Sequence, residues 1–175
     1  MKLGSLKHPK KLDGEPVVVS RDNKQAVKIS HLVPSIREAI ETWSESAPKL
    51  QKIYDELNAG QAHGAFAVDE NSFHSPLPRA FQWVDGSAYI QHVKLVRKAR
   101  NAPLPETLLT VPLMYQGGSD TFLAPREDIP QIDFGHGTDF EGEVAVVTSF
   151  VPMGTKPKDA LKHILLVLIV NDVSL

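Results

Sequence analysis

The 175-residue chain contains no cysteine, and this absence removes several kinds of chemistry at once. Disulfides, thiolate metal sites, iron–sulfur clusters and a cysteine nucleophile are excluded. No membrane-spanning helix is predicted. The longest apolar run, Ile164 to Val170, has seven residues, whereas a helix that spans a bilayer needs about 20. The first residues carry no apolar h-region, so no signal peptide is predicted. We therefore expect a cytoplasmic protein with no membrane partner.

The chain also lacks a surplus of basic residues. It has 19 Lys and Arg against 21 Asp and Glu, a net charge of −2, so no nucleic-acid partner is expected. Residues 116–175 carry 4 basic and 9 acidic side chains, so the acidic surplus lies in the last third. Such a surplus is typical of a solvated face, but here it surrounds the most informative motif in the chain. Apolar residues make up 42% of the sequence, enough for a sizeable core.

Local patterns predict a small N-terminal domain, residues 1–78, built from a hairpin and helices. The β-branched run Glu15 to Ser20 and the segment Gln25 to Ile29 flank a polar turn, which is typical of a β-hairpin. Ser35, with Glu38 three residues later, has the form of a capping box and predicts a helix from Ile36 to Ser44.

Later patterns are shorter and more often broken by proline. Pro48 is expected to open a second helix that closes near Gly60. Prolines and glycine between residues 62 and 79 place a domain boundary at about residue 78. The remaining patterns predict, in order, a helix over Tyr89 to Ala99, a loop over Pro103 to Pro112, a strand over Asp139 to Phe150, a short helix over Pro157 to His163 and a fully buried strand over Leu165 to Val170.

Three carboxylates recur at every second position of the predicted strand: Asp139, Glu141 and Glu143. Side chains alternate between the faces of a strand, so all three project from one side and repel each other. The other side, with Phe140, Gly142, Val144 and Val146, is suited to packing. A hard cation such as Mg²⁺ or Ca²⁺ takes oxygen ligands and would relieve the repulsion. The spacing is equally compatible with an edge strand that has an acidic solvent face.

Three further residues are candidates for the same site, each with a simpler alternative. Asp172 follows an apolar strand, where its carboxylate is expected to emerge at the strand's end, or it is a turn residue. Asp85 lies in Val-Asp-Gly-Ser, and Asp-Gly is also an ordinary turn signal. His92 lies in a predicted helix and is either a proton acceptor or a surface histidine.

Together these segments resemble the fumarylacetoacetate hydrolase family. The matching motifs are Asp85-Gly86-Ser87 with His92, Pro112-Leu113-Met114-Tyr115-Gln116-Gly117, Asp139-Phe140-Glu141-Gly142-Glu143-Val144-Ala145 and Val170-Asn171-Asp172-Val173-Ser174. Each is weak alone, but four in the right order are specific, and the N-terminal hairpin and helices also look like the small N-terminal domain of that family. The resemblance covers essentially the whole chain.

The resemblance implies one divalent cation, Mg²⁺ or Ca²⁺ with Mn²⁺ possible, held by Asp85, Glu141, Glu143 and Asp172. It implies that His92 is the base that activates water and that Tyr115 contacts the substrate. Asp139 is then an outer or solvent-facing residue. The family also uses an arginine after the histidine, but neither Arg97 nor Arg100 has the matching spacing, so that role stays open.

The resemblance further implies the fold and the reaction. The expected fold is α+β, with the N-terminal domain followed over residues 79–175 by the first part of a mixed β-sandwich roll, incomplete at the C-terminus. The expected reaction is hydrolysis of a C–C bond in a β-diketo acid such as fumarylacetoacetate, as in tyrosine degradation.

Two alternatives to that reaction remain. Because the family's later arginine, lysine and acid have no counterpart here, we expect a truncated chain, so one alternative is a non-catalytic remnant that still binds a divalent cation. The other alternative is a relative with decarboxylase, isomerase, hydratase or lyase activity. The full-length form is expected to be a homodimer.

Overall fold

The computed structural model describes residues 1–118, 120 and 122–174, which form the α+β fold that the sequence predicts. Two compact units are present, Met1–Pro78 with Phe122–Leu175 and Arg79–Thr121. The strands are β1 (Lys2–Leu6), β2 (Glu15–Val19), β3 (Gln25–Lys28), β4 (Phe66–Ala67), β5 (Val84–Ser87), β6 (Leu113–Gln116), β7 (Asp139–Thr148) and β8 (Ile164–Ser174). The helices are α1 (Ile36–Glu41), α2 (Trp43–Asn58), α3 (Ile90–Ala99) and α4 (Pro157–Ala160). Within the described ranges, no helix is long and apolar enough to cross a membrane.

An antiparallel sheet in the order β1-β2-β3-β4 organises the N-terminal residues. The predicted hairpin is confirmed: β2 pairs with β3, and Val18 lies opposite Val27. Asn23, in the turn, has a φ of 63°, a left-handed conformation that asparagine tolerates better than most residues. Strand β1, which the sequence patterns did not indicate, pairs along the whole of β2.

Both faces of this sheet are covered by apolar side chains. One core cluster joins Val18 and Val27 to residues of the helices, including Ile36, Leu50 and Leu57. A second cluster on Leu6, Val17, Val19 and Ala26 packs with Phe66, Val68 and Phe73. Because β2 is central, all five of its residues are buried, which explains its nearly unbroken apolar sequence.

The predicted helix cap at Ser35 is confirmed, since the Ser35 hydroxyl accepts a hydrogen bond from the backbone N–H of Glu38 at 3.2 Å. The predicted end of the first helix and the predicted start of the second are wrong. Helix α1 ends at Glu41, and Thr42 leaves helical geometry with φ −111° and ψ 32°. Helix α2 then begins at Trp43, and Pro48 lies inside it. Its first turn closes before Pro48, because the N–H of Ser46 already donates to the carbonyl of Thr42.

Two expectations about burial in the β7–β8 hairpin are wrong. Strand β8 extends to Ser174 and is not fully buried, because alternate residues such as Ile169, 84% exposed, face outward. The face of β7 expected to pack is also exposed, with Val144 at 76%. Among the described residues, the side chains on the carboxylate face of the hairpin are less exposed to solvent than those on the opposite face. An unbroken apolar run does not by itself distinguish such a strand from one buried on both faces.

In the second unit, β5 and β6 form an antiparallel pair and α3 follows β5. The predicted helix around His92 is confirmed as Ile90–Ala99. Asp85 and Gly86 lie within β5, so the interpretation of this dipeptide as a turn is wrong. The segment from Pro103 to Pro112 contains turns without helix or strand, as predicted.

The packing predicts a large stability cost for truncation at Leu50, which is fully buried in α2. Leu50→Ala removes apolar area and leaves a cavity, so it should lower the free energy of unfolding by about 2–5 kcal/mol. Leu12→Ala is the matched control, because Leu12 is 72% exposed. Urea denaturation of both variants tests this. A Leu50→Ala effect no larger than that of Leu12→Ala would contradict the assigned core.

The ion pair between Lys11 and Glu15 predicts an acid-sensitive contribution to stability. Burial alone would raise the pKa of Glu15, but hydrogen bonds from Lys11 and Ser30 outweigh it, so its pKa lies below its ordinary value of 4.5. A depressed pKa stabilises the fold above pH 4.5, and that contribution is lost as the pH falls through the folded-state pKa. Thermal midpoints of wild type and Glu15→Gln should therefore differ near neutral pH and converge in acid. Glu106→Gln, at an exposed loop position, should give no such pH-dependent difference.

Candidate functional site

Strands β7 and β8 bring the later predicted carboxylates together. In their antiparallel register, Glu141 lies directly opposite Asp172, and Glu143 lies opposite Val170. Opposite residues share a face, so Glu141, Glu143 and Asp172 all project from the same side of the hairpin. All three are half-buried. Asp172 was expected to emerge beyond the strand. It instead lies within β8, because the pairing continues to Ser174.

Two carboxylates that are diagonal neighbours on this face lie close together. Oxygen atoms of Glu143 and Asp172 lie within 4.8 Å of each other. Two unit charges 4 Å apart repel by about 1 kcal/mol in bulk water and by about 4 kcal/mol near a protein surface. Bringing two carboxylates together in this way favours binding of a cation.

The chemistry of these donors fits a hard divalent cation. Ca²⁺ binds oxygen ligands at about 2.3–2.6 Å and Mg²⁺ at about 2.0–2.1 Å, so two oxygens on one ion are separated by no more than about 4–5 Å. The separation of Glu143 and Asp172 falls within this limit. Asp139, in contrast, is exposed, and its carboxylate accepts a hydrogen bond from the N–H of Phe140 at 2.9 Å.

In the second unit, the β5–β6 pair places Asp85 directly opposite Tyr115. The carbonyl of Trp83 accepts a hydrogen bond from the N–H of Gly117 at 3.0 Å, which extends the pairing beyond β5. Trp83, Asp85 and Tyr115 therefore share one face. The rings of Trp83 and Tyr115 have centroids 5.6 Å apart and are tilted by 59°. Such aromatic pairs contribute about 0.5–1.5 kcal/mol beyond area burial.

His92 lies in the first turn of α3 and is half-buried. Of the two candidate arginines, Arg97 is half-buried in the last turn of α3, and Arg100 is the exposed residue at which the helix ends. The helix thus presents one histidine at its start and basic side chains at its end.

Comparison with known families matches both parts of the chain. The family described as "Fumarylacetoacetase N-terminal domain 2" matches residues 1–79. The family described as "Fumarylacetoacetate (FAA) hydrolase C-terminal" matches residues 82–175, more than half of the chain. The chain belongs to the fumarylacetoacetate hydrolase family. No curated protein shows a significant match. Fumarylacetoacetate hydrolase family members commonly bind divalent metals, in agreement with the donors of β7 and β8.

The sequence patterns assigned no role to Trp83 or to Gly117. Trp83 precedes Asp85 by two positions and so falls on the same face of an extended segment, which is the one signal that could have drawn attention to it. Its contacts with Tyr115 and Gly117 depend on the pairing of β5 with β6, two segments well separated in the chain. The aromatic pair is therefore a feature of the tertiary structure.

The carboxylate face predicts opposite effects of Asp172→Asn with and without cation. Without divalent cation the substitution relieves repulsion, so the thermal midpoint should stay the same or rise. With millimolar Ca²⁺, wild type should gain stability, about 2.7 kcal/mol at one hundred times the Kd, and the variant should lose most of that gain. Glu143→Gln should behave alike, and Asp139→Asn is the matched control. An identical Ca²⁺ response in wild type and Asp172→Asn would contradict the assigned ligand.

Proposed function

We propose that this chain is a divalent-metal-dependent hydrolase that cleaves a C–C bond in a β-diketo acid such as fumarylacetoacetate. The observation that carries the proposal is the shared carboxylate face of Glu141, Glu143 and Asp172 in a chain of this family. These residues would hold Mg²⁺ or Ca²⁺, with Mn²⁺ as a further candidate. Asp85 would be the fourth ligand, on the strength of its sequence motif. A bound cation would polarise the two carbonyl groups of the substrate.

The protein's own groups have defined tasks in this reaction. His92 would accept a proton from water, because histidine is the side chain that most often serves as a general base. The water oxygen then forms a bond to one carbonyl carbon, and the bond from that carbon to the adjacent methylene carbon breaks. The electron pair leaves on the methylene carbon as an enolate, which takes up a proton. The products are a carboxylic acid and a ketone, and the atoms of one water molecule are distributed between them.

Tyr115 would contact the substrate in this proposal. It is 57% exposed and lies directly opposite Asp85 in the β5–β6 pair, so its ring borders the same face as that carboxylate. A substrate lying over this face would meet an aromatic surface and a phenolic hydroxyl, which can donate or accept a hydrogen bond. These two features suit a planar dicarbonyl compound.

Several further properties belong to the proposal. The two family segments support a domain boundary near residue 78. A homodimer, a cytoplasmic location and a role in tyrosine degradation are proposed from the family resemblance.

The reaction is tested with fumarylacetoacetate in ¹⁸O-labelled water and Mg²⁺. Hydrolysis transfers ¹⁸O to the carboxylic acid product, which mass spectrometry detects. Release of CO₂ would indicate a decarboxylase. A product of unchanged mass would indicate an isomerase, and uptake of water without cleavage would indicate a hydratase. Cleavage without ¹⁸O incorporation would indicate a lyase. Ca²⁺ binding without any turnover would favour a metal-binding protein that is not catalytic.

The role of His92 predicts a large loss of turnover with little loss of metal affinity. His92→Ala removes the proton acceptor, so kcat should fall by about 10²–10⁴-fold. Its Kd for Ca²⁺, measured by calorimetry, should change little, because His92 is not a proposed ligand. His63→Ala is the control, since His63 is an exposed histidine of the N-terminal domain. A kcat within a few-fold of wild type would exclude His92 as the base.

A further inference from the structure

Trp83 lies in an unusual position relative to Gly117. A Cβ atom added to Gly117 would come within 1.9 Å of Cε2 of the indole, and within 2.3 Å of two more of its ring atoms. The indole therefore occupies the volume that a side chain at position 117 would need. Only glycine at that position permits this close approach. The aromatic ring lies across the backbone of the neighbouring chain segment, and this contact limits the orientations that Trp83 can adopt.

From this position the indole contacts Tyr115. Trp83 pairs with Gly117 through the backbone hydrogen bond of 3.0 Å, so Tyr115 is its diagonal neighbour on the same face. Diagonal neighbours across antiparallel strands are within reach of aromatic side chains. The centroid distance of 5.6 Å and the tilt of 59° place the two rings in a favourable arrangement.

We propose that Trp83 is a positioning residue for substrate binding: it holds the ring of Tyr115 in place beside Asp85, and Gly117 makes this possible. The inference rests on the proposed function, because it assumes that Tyr115 contacts the substrate. Tyr115 is largely exposed, so it has few other restraints from burial. Without the indole, the Tyr115 side chain gains rotamers, and binding a β-diketo acid must then order it again. Trp83 thus lowers KM and leaves the bond-breaking step unchanged.

The contact itself is tested without any activity measurement. The protein is labelled with 3-fluorotyrosine at its three tyrosines, and its ¹⁹F spectrum is recorded. Tyr115→Phe identifies the Tyr115 signal. Trp83→Leu and Gly117→Ala, which act on the same contact from opposite sides, should both shift that signal and leave those of Tyr54 and Tyr89 in place. Trp43→Phe, at the second tryptophan of the chain, is the matched control. A Tyr115 signal that does not move in Trp83→Leu would overturn the proposal.

The consequence for binding is tested with acetylpyruvate as the β-diketo acid, in the presence of Mg²⁺. Trp83→Leu should lower kcat/KM about two- to twelvefold, the range that corresponds to one aromatic pair. The loss should lie in KM, and Trp83→Phe should restore most of it. An unchanged KM, or a loss confined to kcat, would overturn the positioning role.

The outcome for the wild type separates this inference from the proposed function. Wild-type protein that binds Ca²⁺ but neither binds nor cleaves acetylpyruvate and fumarylacetoacetate would refute the proposed function, and the role of Trp83 in substrate binding with it. Wild-type turnover combined with a Trp83→Leu KM equal to that of wild type would refute the role of Trp83 alone.

Discussion

The antiparallel register that pairs Glu141 with Asp172 decides where every carboxylate of the β7–β8 hairpin lies. Because side chains alternate, a slip of one residue would move Asp172 to the opposite face and separate it from Glu143. The same slip would also exchange the half-buried and exposed faces of the strand. The same alternation that covers one face of the hairpin therefore assembles the donors of the candidate metal site.

A second pair of strands follows the same rule. In β5 and β6, pairing brings Asp85 opposite Tyr115, and the extension to Gly117 places Trp83 on the same face. The indole lies across a glycine, where any larger residue would displace it. In both pairs of strands, pairing thus brings together side chains that are far apart in the chain. The N-terminal sheet differs, because both of its faces are covered and its contribution is a stable core.

Local signals predicted well those features whose causes are local. The hairpin of β2 and β3 and the cap on Ser35 arise from neighbouring residues, and both are confirmed. Pro48 was misleading, because a proline near a helix start is compatible with several boundaries and the first turn closes upstream at Thr42. The run of apolar residues in β8 was misleading for another reason. It indicates a strand, but burial depends on which elements cover each face.

The sequence by itself determined the family, the α+β class and the fact that Glu141 and Glu143 share one face, because motif order and strand alternation are properties of the chain. Only the tertiary structure decided that Asp172 lies inside β8, that its carboxylate lies within 4.8 Å of that of the diagonal Glu143, and that Trp83 lies against Gly117 and Tyr115. The physical reason is the same in each case. Alternation within one strand determines which of its residues share a face, but the residues opposite them depend on pairing with a segment that is distant in the chain.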